Sequence, residues 1–177
     1  MKATEKSRVV LRDKDPADAW DDYSWESDPE LAKLDAAPVL PISYSRYLMD
    51  YTVDLRIPRT TSRQFAVDNL DGKHIGNCSY YNLDRSRGEV EVGIMIGDRD
   101  YWNKGYGVEV INALLEHVFQ QLKVNRVHLK TLDWNARAQK CFKKCGFTEC
   151  TRITRDGYNF VLMEIFRTKW EKMQELS

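Results

Sequence analysis

The hexapeptide Trp102-Asn103-Lys104-Gly105-Tyr106-Gly107 stands between a strand-like segment and a long amphipathic helical pattern. The first amides of a helix have no carbonyl partner inside the helix, and they lie at the positive end of its dipole. Glycines, which have no side chain, let an anion approach such amides closely. The segment therefore predicts a phosphate-binding turn, with an ordinary tight entry into a helix as the alternative.

Two other phosphate-binding motifs fail on spacing. A dinucleotide fingerprint needs a third glycine where this chain has Val110. A P-loop needs Gly-Lys-Ser/Thr after its glycines, and no such sequence follows the hexapeptide. Neither a dinucleotide-binding protein nor a P-loop enzyme is therefore predicted.

A second motif covers residues 135–147, from Asn135 to the pair Gly146-Phe147. Asparagine is a favourable N-cap, and glycine commonly ends a helix. The pattern predicts a short helix whose apolar face carries Ala138, Cys141, Phe142 and Cys145. A purely structural helix explains that face without any ligand.

The rest of the chain shows an ordered succession of strand and helix patterns. Asp71-Gly72 and Arg87-Gly88 are typical hairpin turns, and they join three strands into a meander. Predicted strands cover residues 8–11, 64–67, 74–81, 89–96, 126–132, 147–153 and 158–166. Predicted helices begin near Pro16, Pro29 and Ser43 and cover residues 108–122 and 136–144.

The chain has 177 residues, which suits one domain spanning residues 1–177. Lys plus Arg and Asp plus Glu both number 27, so the net charge gives no attraction to nucleic acid. No apolar run approaches the ~20 residues of a membrane span, and the first six residues have no secretory core. We therefore expect a cytoplasmic protein without nucleic-acid or membrane partners, and the number of subunits is left open.

The four cysteines and three histidines do not have the clustered spacing of a metal site, so no metal is expected. In a reducing compartment the thiols are expected to act as small buried hydrophobic groups. They are Cys78, Cys141, Cys145 and Cys150.

Together these motifs resemble the GNAT superfamily of N-acetyltransferases. The acetyl-CoA motif of that family, Q/R-x-x-G-x-G/A, matches residues 102–107 except that Trp102 replaces the usual Gln or Arg. The order of elements matches over nearly the whole chain. The segments Glu91-Val92-Gly93-Ile94, Tyr101-Trp102 and Asn135-Ala136-Arg137-Ala138 look most like the branch that includes ribosomal-protein N-terminal acetyltransferases.

The resemblance implies a mixed α+β fold with a mostly antiparallel, twisted sheet of about six or seven strands. Its central strands would splay apart, and helices would flank the sheet. The cosubstrate would be acetyl-CoA. Its pyrophosphate would contact amides of Trp102, Asn103, Lys104, Gly105, Tyr106 and Gly107. Its pantetheine arm would pair with Ile94, Met95 and Ile96, and Asn135 would contact the cofactor near the second helix.

The resemblance also suggests catalytic groups. The leading candidate for the general base is Glu91, on the polar face of the predicted strand, and Glu89 points the same way. Solvated surface carboxylates are the alternative for both. Amides near Met95 are candidates for oxyanion stabilisation. The family often has a tyrosine, as the acid for the thiolate, where this chain has Phe142, so Cys141, Tyr106 or water is left for that role.

Residues 13–35 hold nine acidic and two basic residues, interleaved with Trp20, Tyr23 and Trp25. The superfamily usually contacts its acceptor in this region, and such a rim suits a cationic amine. A solvated helix face is the alternative. The predicted function is acetyl transfer from acetyl-CoA to a primary amine, which is a small molecule, a polyamine or a protein N-terminus. The alternative function is a non-catalytic acyl-CoA-binding module.

Overall fold

The computed structural model describes residues 7–176. Seven strands form one sheet in the order β1-β2-β3-β4-β5-β7-β6. The strands are Val9–Asp13 (β1), Arg63–Asn69 (β2), His74–Asp84 (β3), Glu89–Ile96 (β4), Arg126–Leu132 (β5), Thr148–Arg155 (β6) and Tyr158–Phe166 (β7). Neighbours are antiparallel except β4 and β5, which are parallel. The mixed α+β architecture and the mostly antiparallel sheet are as predicted.

The six α-helices are Ala19–Glu26 (α1), Pro29–Leu34 (α2), Tyr44–Asp54 (α3), Tyr106–His117 (α4), Ala136–Lys144 (α5) and Arg167–Glu175 (α6). Asp28, Ser43 and Asn135 cap α2, α3 and α5, each with a side-chain oxygen that accepts a hydrogen bond from a first-turn amide. These caps explain why the helices begin where the sequence predicted.

The main core lies between α4 and one face of the sheet. The alternation predicted for β4 is confirmed, since Val90 and Val92 are fully buried and Ile94 and Ile96 pack against the same cluster. From α4, Val110, Ile111, Leu114 and Leu115 pack into this core. The opposite face of β4, with Gly93 and Met95, is left for the first three helices and the site.

The central strands splay, and this feature decides where a ligand can lie. Ladder pairing of β4 with β5 joins residues 89–91 to residues 126–128, whereas both strands continue well beyond that point. Beyond its first three residues, β5 pairs with β7 alone in the described chain. The edge of β4 that faces β5 is therefore open from Val92 onwards.

Some sequence predictions need correction. The expected helix over 108–122 begins at Tyr106 and changes at Val118 to a wider π-helical turn that ends at Leu122. Helix α6 was not predicted, and its Trp170 packs on Phe119 with ring centroids 5.1 Å apart. Cys150 is exposed rather than buried, because β6 is an edge strand with every residue exposed.

The expectation of no secretory core concerned residues 1–6, which lie outside the described residues. Within residues 7–176, no helix is long and apolar enough to cross a membrane.

Lys123 gives a test of backbone strain away from any cavity. It is exposed and adopts a left-handed conformation with φ of 57° at the end of the π-helical turn. Glycine adopts this conformation without a Cβ clash, so we expect Lys123→Gly to raise the free energy of unfolding by about 0.5–1 kcal/mol. Chemical denaturation would measure the change. Lys123→Ala keeps the strain and is the matched control; an equal gain in both variants would contradict the explanation.

Candidate active site

A cavity of about 850 Å³ opens where β4 and β5 separate. Nine of the ten predicted cofactor-binding residues line it. They are Ile94, Met95, Ile96, Trp102, Asn103, Gly105, Tyr106, Gly107 and Asn135. Lys104 is exposed beside the cavity, and its carbonyl accepts a hydrogen bond of 3.0 Å from Arg8 Nη2. The fold thus brings the two predicted motifs and the β4 edge to one cavity.

The predicted glycine turn leads directly into α4. Gly105 is its N-cap residue with φ of 88°, a conformation that suits glycine. The first amides of α4 have no carbonyls one turn earlier to bind, so they are available to an anion. A Cβ on Gly107 would lie 3.2 Å from Cys141 Sγ, so a larger residue would require Cys141 to shift by a few tenths of an ångström where α4 approaches α5.

Trp102, the departure from the family motif, lines the cavity. Its indole Nε1 donates a 2.6 Å hydrogen bond to the carbonyl of Ile96, which ties the glycine turn to the end of β4. The guanidinium of Arg137 lies 3.7 Å from the centre of the indole ring. Trp102 therefore orders the turn and orients a cation from α5.

The open edge of β4 offers main-chain groups to a ligand. Gly97 donates to Ile75 O on β3 at 3.0 Å, whereas Ile96 O accepts from Trp102 in the cavity. Because successive strand residues direct their main-chain groups to opposite edges, the amide of Ile94 faces the cavity and that of Met95 faces β3. The sequence predicted that an amide near Met95 stabilises the oxyanion. This alternation makes the amide of Ile94 the candidate for that role.

Basic side chains on one face of α5 were missed by the sequence analysis. Arg137, Lys140 and Lys144 line the cavity at helical spacing, and burial lowers the pKa of Arg137. The i, i+3, i+7 spacing of basic residues was the available signal. Asn135 begins this helix, and its Oδ1 accepts a 3.1 Å hydrogen bond from the amide of Ala138. This end of the cavity is therefore cationic.

Glu91 is buried rather than solvated, with an exposed fraction of 8%. Its Oε1 accepts hydrogen bonds from Tyr81 and Lys130, each at 3.1 Å, and its Oε2 accepts one of 3.0 Å from Asn82. Burial acts to raise its pKa, but these hydrogen bonds outweigh burial and leave the pKa below its usual value. Glu91 lines neither this cavity nor the adjacent one between the first three helices and the sheet. Its role as a base stays a prediction.

The other candidate catalytic groups are Glu89, Cys141 and Tyr106, and Phe142 stands where the family often has a tyrosine. Glu89 accepts a 2.8 Å hydrogen bond from Arg126. Phe142 is buried against Phe147, with ring centroids 6.0 Å apart, and lines the cavity without a proton to donate. Cys141 and Tyr106, the alternatives for the acid, both line the cavity as well. Among residues 7–176, no group of three His, Cys, Asp or Glu side chains is placed to hold a metal ion.

A second cavity of about 650 Å³ lies between the first three helices and the sheet. Its charged lining residues within the described chain are five carboxylates: Asp22, Glu26, Asp35, Asp50 and Asp54. Aromatic rings of Trp25, Tyr47, Tyr51 and Tyr81 complete much of its wall. The two cavities share Asp35, Tyr81, Gly93, Ile94 and Met95, so they meet at the middle of β4.

Of the three aromatic residues singled out in the acidic segment, Trp25 alone lines this second cavity. Trp20 is exposed, and Tyr23 donates a 3.0 Å hydrogen bond to Ile42 O. Gly97 accommodates Trp25, since a Cβ there would lie 2.0 Å from the indole. A glycine after β4 therefore lets Trp25 take its place in the cavity wall.

Comparison with known proteins gives the family. A family model described as an acetyltransferase (GNAT) domain matches residues 8–148. The chain belongs to the GNAT acetyltransferase family. It is 26% identical over 148 residues to the uncharacterized N-acetyltransferase p20 of Bacillus licheniformis, with 83% of each chain covered.

Another GNAT relative is the putative ribosomal N-acetyltransferase YdaF of Bacillus subtilis, 26% identical over 108 residues, or 57% of this chain and 58% of that one. Among solved structures, spermidine N-acetyltransferase from Vibrio cholerae in complex with CoA and spermine matches with a TM-score of 0.82 at 19% identity. That match covers 94% of this chain and 99% of the other, and it shows the same fold.

The predicted family is therefore confirmed. The protein is a GNAT N-acetyltransferase, and it transfers the acetyl group of acetyl-CoA to an amine. The comparisons give no support to a non-catalytic acyl-CoA-binding module.

The residues of the first cavity fit coenzyme A chemically. The N-terminal amides of α4 and the cations of Arg137, Lys140 and Lys144 suit its phosphates. The open main-chain edge of β4 suits the amide groups of its pantetheine arm. Bound there, acetyl-CoA supplies an acetyl group activated as a thioester.

Arg137 tests the cationic end of this cavity. We expect Arg137→Ala to weaken acetyl-CoA binding about 10-fold, since one charge-assisted contact to a phosphate is lost. Isothermal titration calorimetry would measure the dissociation constant. Lys143→Ala removes a cation from the exposed side of the same helix and is the matched control. Equal losses in both variants would show that only the net charge of α5 matters.

Proposed function

We propose that the acceptor is the primary amine of a small polycation of the polyamine class. The observation that carries this proposal is the second cavity, with five carboxylates and no Lys or Arg among its described lining residues. A molecule with several ammonium groups gains Coulomb attraction from each of them inside such a wall. Its methylene segments and ammonium groups also suit the surrounding aromatic rings.

The surroundings of these carboxylates support a cation site rather than a folding device alone. Glu26 Oε1 accepts a 2.8 Å hydrogen bond from Tyr47, and burial raises the pKa of Glu26. A carboxylate with a raised pKa is stabilised in its charged form when a cation arrives. Asp22, Asp50 and Asp54 are ion-paired with Lys14, Arg46 and Arg59, so Glu26 and Asp35 hold the stronger unmet attraction for a cation.

The junction of the cavities supports transfer by direct attack. An amine in the second cavity reaches the middle of β4 at Gly93, where the small residue leaves space beside Tyr81. The amide of Ile94 on the open edge is a suitable donor to a developing oxyanion. The matched Vibrio cholerae protein is a spermidine N-acetyltransferase in complex with spermine, which is consistent with a polyamine acceptor.

An amine panel tests the proposal directly. Purified protein and acetyl-CoA would be mixed with spermidine, putrescine, butylamine and an N-terminal peptide, and loss of thioester absorbance would be followed. We expect the highest kcat/KM with spermidine, and the preference over butylamine should shrink as ionic strength rises and screens the carboxylates. Turnover of the peptide without turnover of spermidine would contradict the proposal.

Glu26 tests the acidic wall. We expect Glu26→Gln to raise the KM for spermidine about 5-fold with little change for butylamine, because a partly buried charge contact is lost. Asp71→Asn removes a carboxylate from an exposed hairpin turn outside both cavities and is the matched control. A similar rise of KM in both variants would mean that only the overall charge attracts the substrate.

A further inference from the structure

One carboxylate of the acidic wall differs from the rest in its position. Asp35 lies directly after α2 and lines both the cofactor cavity and the acceptor cavity. The other four carboxylates of the acceptor cavity line that cavity alone. Of the five carboxylates, Asp35 is therefore the one placed at the boundary between the donor and acceptor cavities.

The carboxylate of Asp35 also has no side-chain partner within the described part of the chain. Among residues 7–176, no hydrogen bond or ion pair to its side chain is found, whereas Asp22, Glu26, Asp50 and Asp54 each have one. Asp35 is accessible to solvent, so a substrate can reach it. A proton acceptor needs this freedom, because an oxygen already bound to a donor has less capacity to take a proton.

The main chain fixes Asp35 at this boundary. The amide of Ala37 donates to Ala32 O at 2.9 Å, and that of Ala36 donates to Lys33 O at 3.3 Å, so α2 ends in a closed turn. Ala36 adopts a left-handed conformation with φ of 53° in this turn. This turn fixes the main chain at Asp35, and with it the point from which the Asp35 side chain extends.

We propose that Asp35 is the general base of the reaction, rather than Glu91. The amine nitrogen forms a bond to the acetyl carbon, the C–S bond breaks, and its electron pair leaves with the sulfur. The nitrogen gives its proton to the carboxylate of Asp35, which passes it to water at the open side of the cavity. The thiolate takes a proton from water. The inference rests on the proposed amine acceptor.

The charges that face Asp35 favour this role. Burial raises the pKa of Asp35, and the positive charge of Lys130 on β5 partly offsets that rise. The charge of Asp35 in turn raises the pKa of Tyr81 on β3 and of Glu26 on α1, the other titratable groups that interact with it. Lys130 also forms an ion pair with Glu91, which limits the effect of the Lys130 ammonium on the pKa of Asp35. Glu91 therefore acts as a positioning residue, because it holds this ammonium group in place.

The experiment compares three isosteric or near-isosteric variants of the whole chain with spermidine and acetyl-CoA: Asp35→Asn, Glu91→Gln and the exposed control Asp71→Asn. We expect Asp35→Asn to lower kcat about 100-fold, which is typical for loss of a general base. The KM for spermidine should change less than about 3-fold, and calorimetry should show unchanged acetyl-CoA binding. Glu91→Gln should lower kcat less than about 10-fold.

The pH profile separates the base from a mere cation site. The fall in kcat/KM on the acidic side should lie above the ordinary range of an aspartate and should vanish in Asp35→Asn, because that variant has no carboxylate to protonate. Formate should restore part of the kcat of Asp35→Ala, since a small carboxylate can occupy the space. A structural role would not produce such rescue.

Two results would overturn the proposal. The first is an Asp35→Asn variant with unchanged kcat and a raised KM, which would make Asp35 a binding residue only. The second is a pH profile in which the fall of kcat/KM at acidic pH disappears in Glu91→Gln but persists in Asp35→Asn. A wild-type protein that acetylates another amine but no polyamine would refute the proposed acceptor instead, and the same variants would then be measured with the accepted amine.

Discussion

The site depends on the short parallel pairing between β4 and β5. Parallel strands hydrogen-bond evenly along their length when they stay adjacent, but here the ladder joins residues 89–91 to residues 126–128 and then ends. Every main-chain group beyond that point on the facing edge of β4 lacks a strand partner. The core behind β4 is complete on its other face, so the gap costs little packing and creates a polar cleft.

The same gap connects two regions of opposite charge. At one end, α4 begins with free amides, and α5 contributes three basic side chains. At the other end, α1, α2 and α3 contribute five carboxylates. The formal net charge of the chain is zero, so this separation is invisible in the composition and arises only when the helices pack on the sheet. The fold thereby opens a basic and an acidic approach to the middle of β4, which suit acetyl-CoA and the polycationic acceptor proposed above.

The sequence predicted most elements because their signals are local. Asn135 as a cap, Asp71-Gly72 as a turn and the alternation in β4 each act within a few residues. Helix α6 was not predicted, because its mostly polar sequence has a weak apolar stripe. Its position depends on the packing of Trp170 against Phe119. The π-helical turn after His117 has no local sequence signature that distinguishes it from α-helix.

The residues of the glycine turn that line the first cavity were predictable because a contiguous motif carries them, whereas the lining of the second cavity was not. The sequence singled out Trp20, Tyr23 and Trp25 together, but helix geometry directs them to different sides. The wall also draws on residues from α3 and β3 that no spacing rule connects to α1. For Glu91, strand alternation gave the correct face, but its burial against Lys130 and Asn82 depends on the neighbouring strands.

The shared wall of the two cavities has a consequence for inhibition. Five residues border both cavities: Asp35, Tyr81, Gly93, Ile94 and Met95. The two substrates can therefore approach each other until their reacting atoms are in contact. A single molecule with coenzyme A covalently joined to an amine acceptor would occupy both spaces and lose its translational freedom only once. The continuity of the cleft therefore makes bisubstrate analogues the natural class of tight-binding ligands for this enzyme.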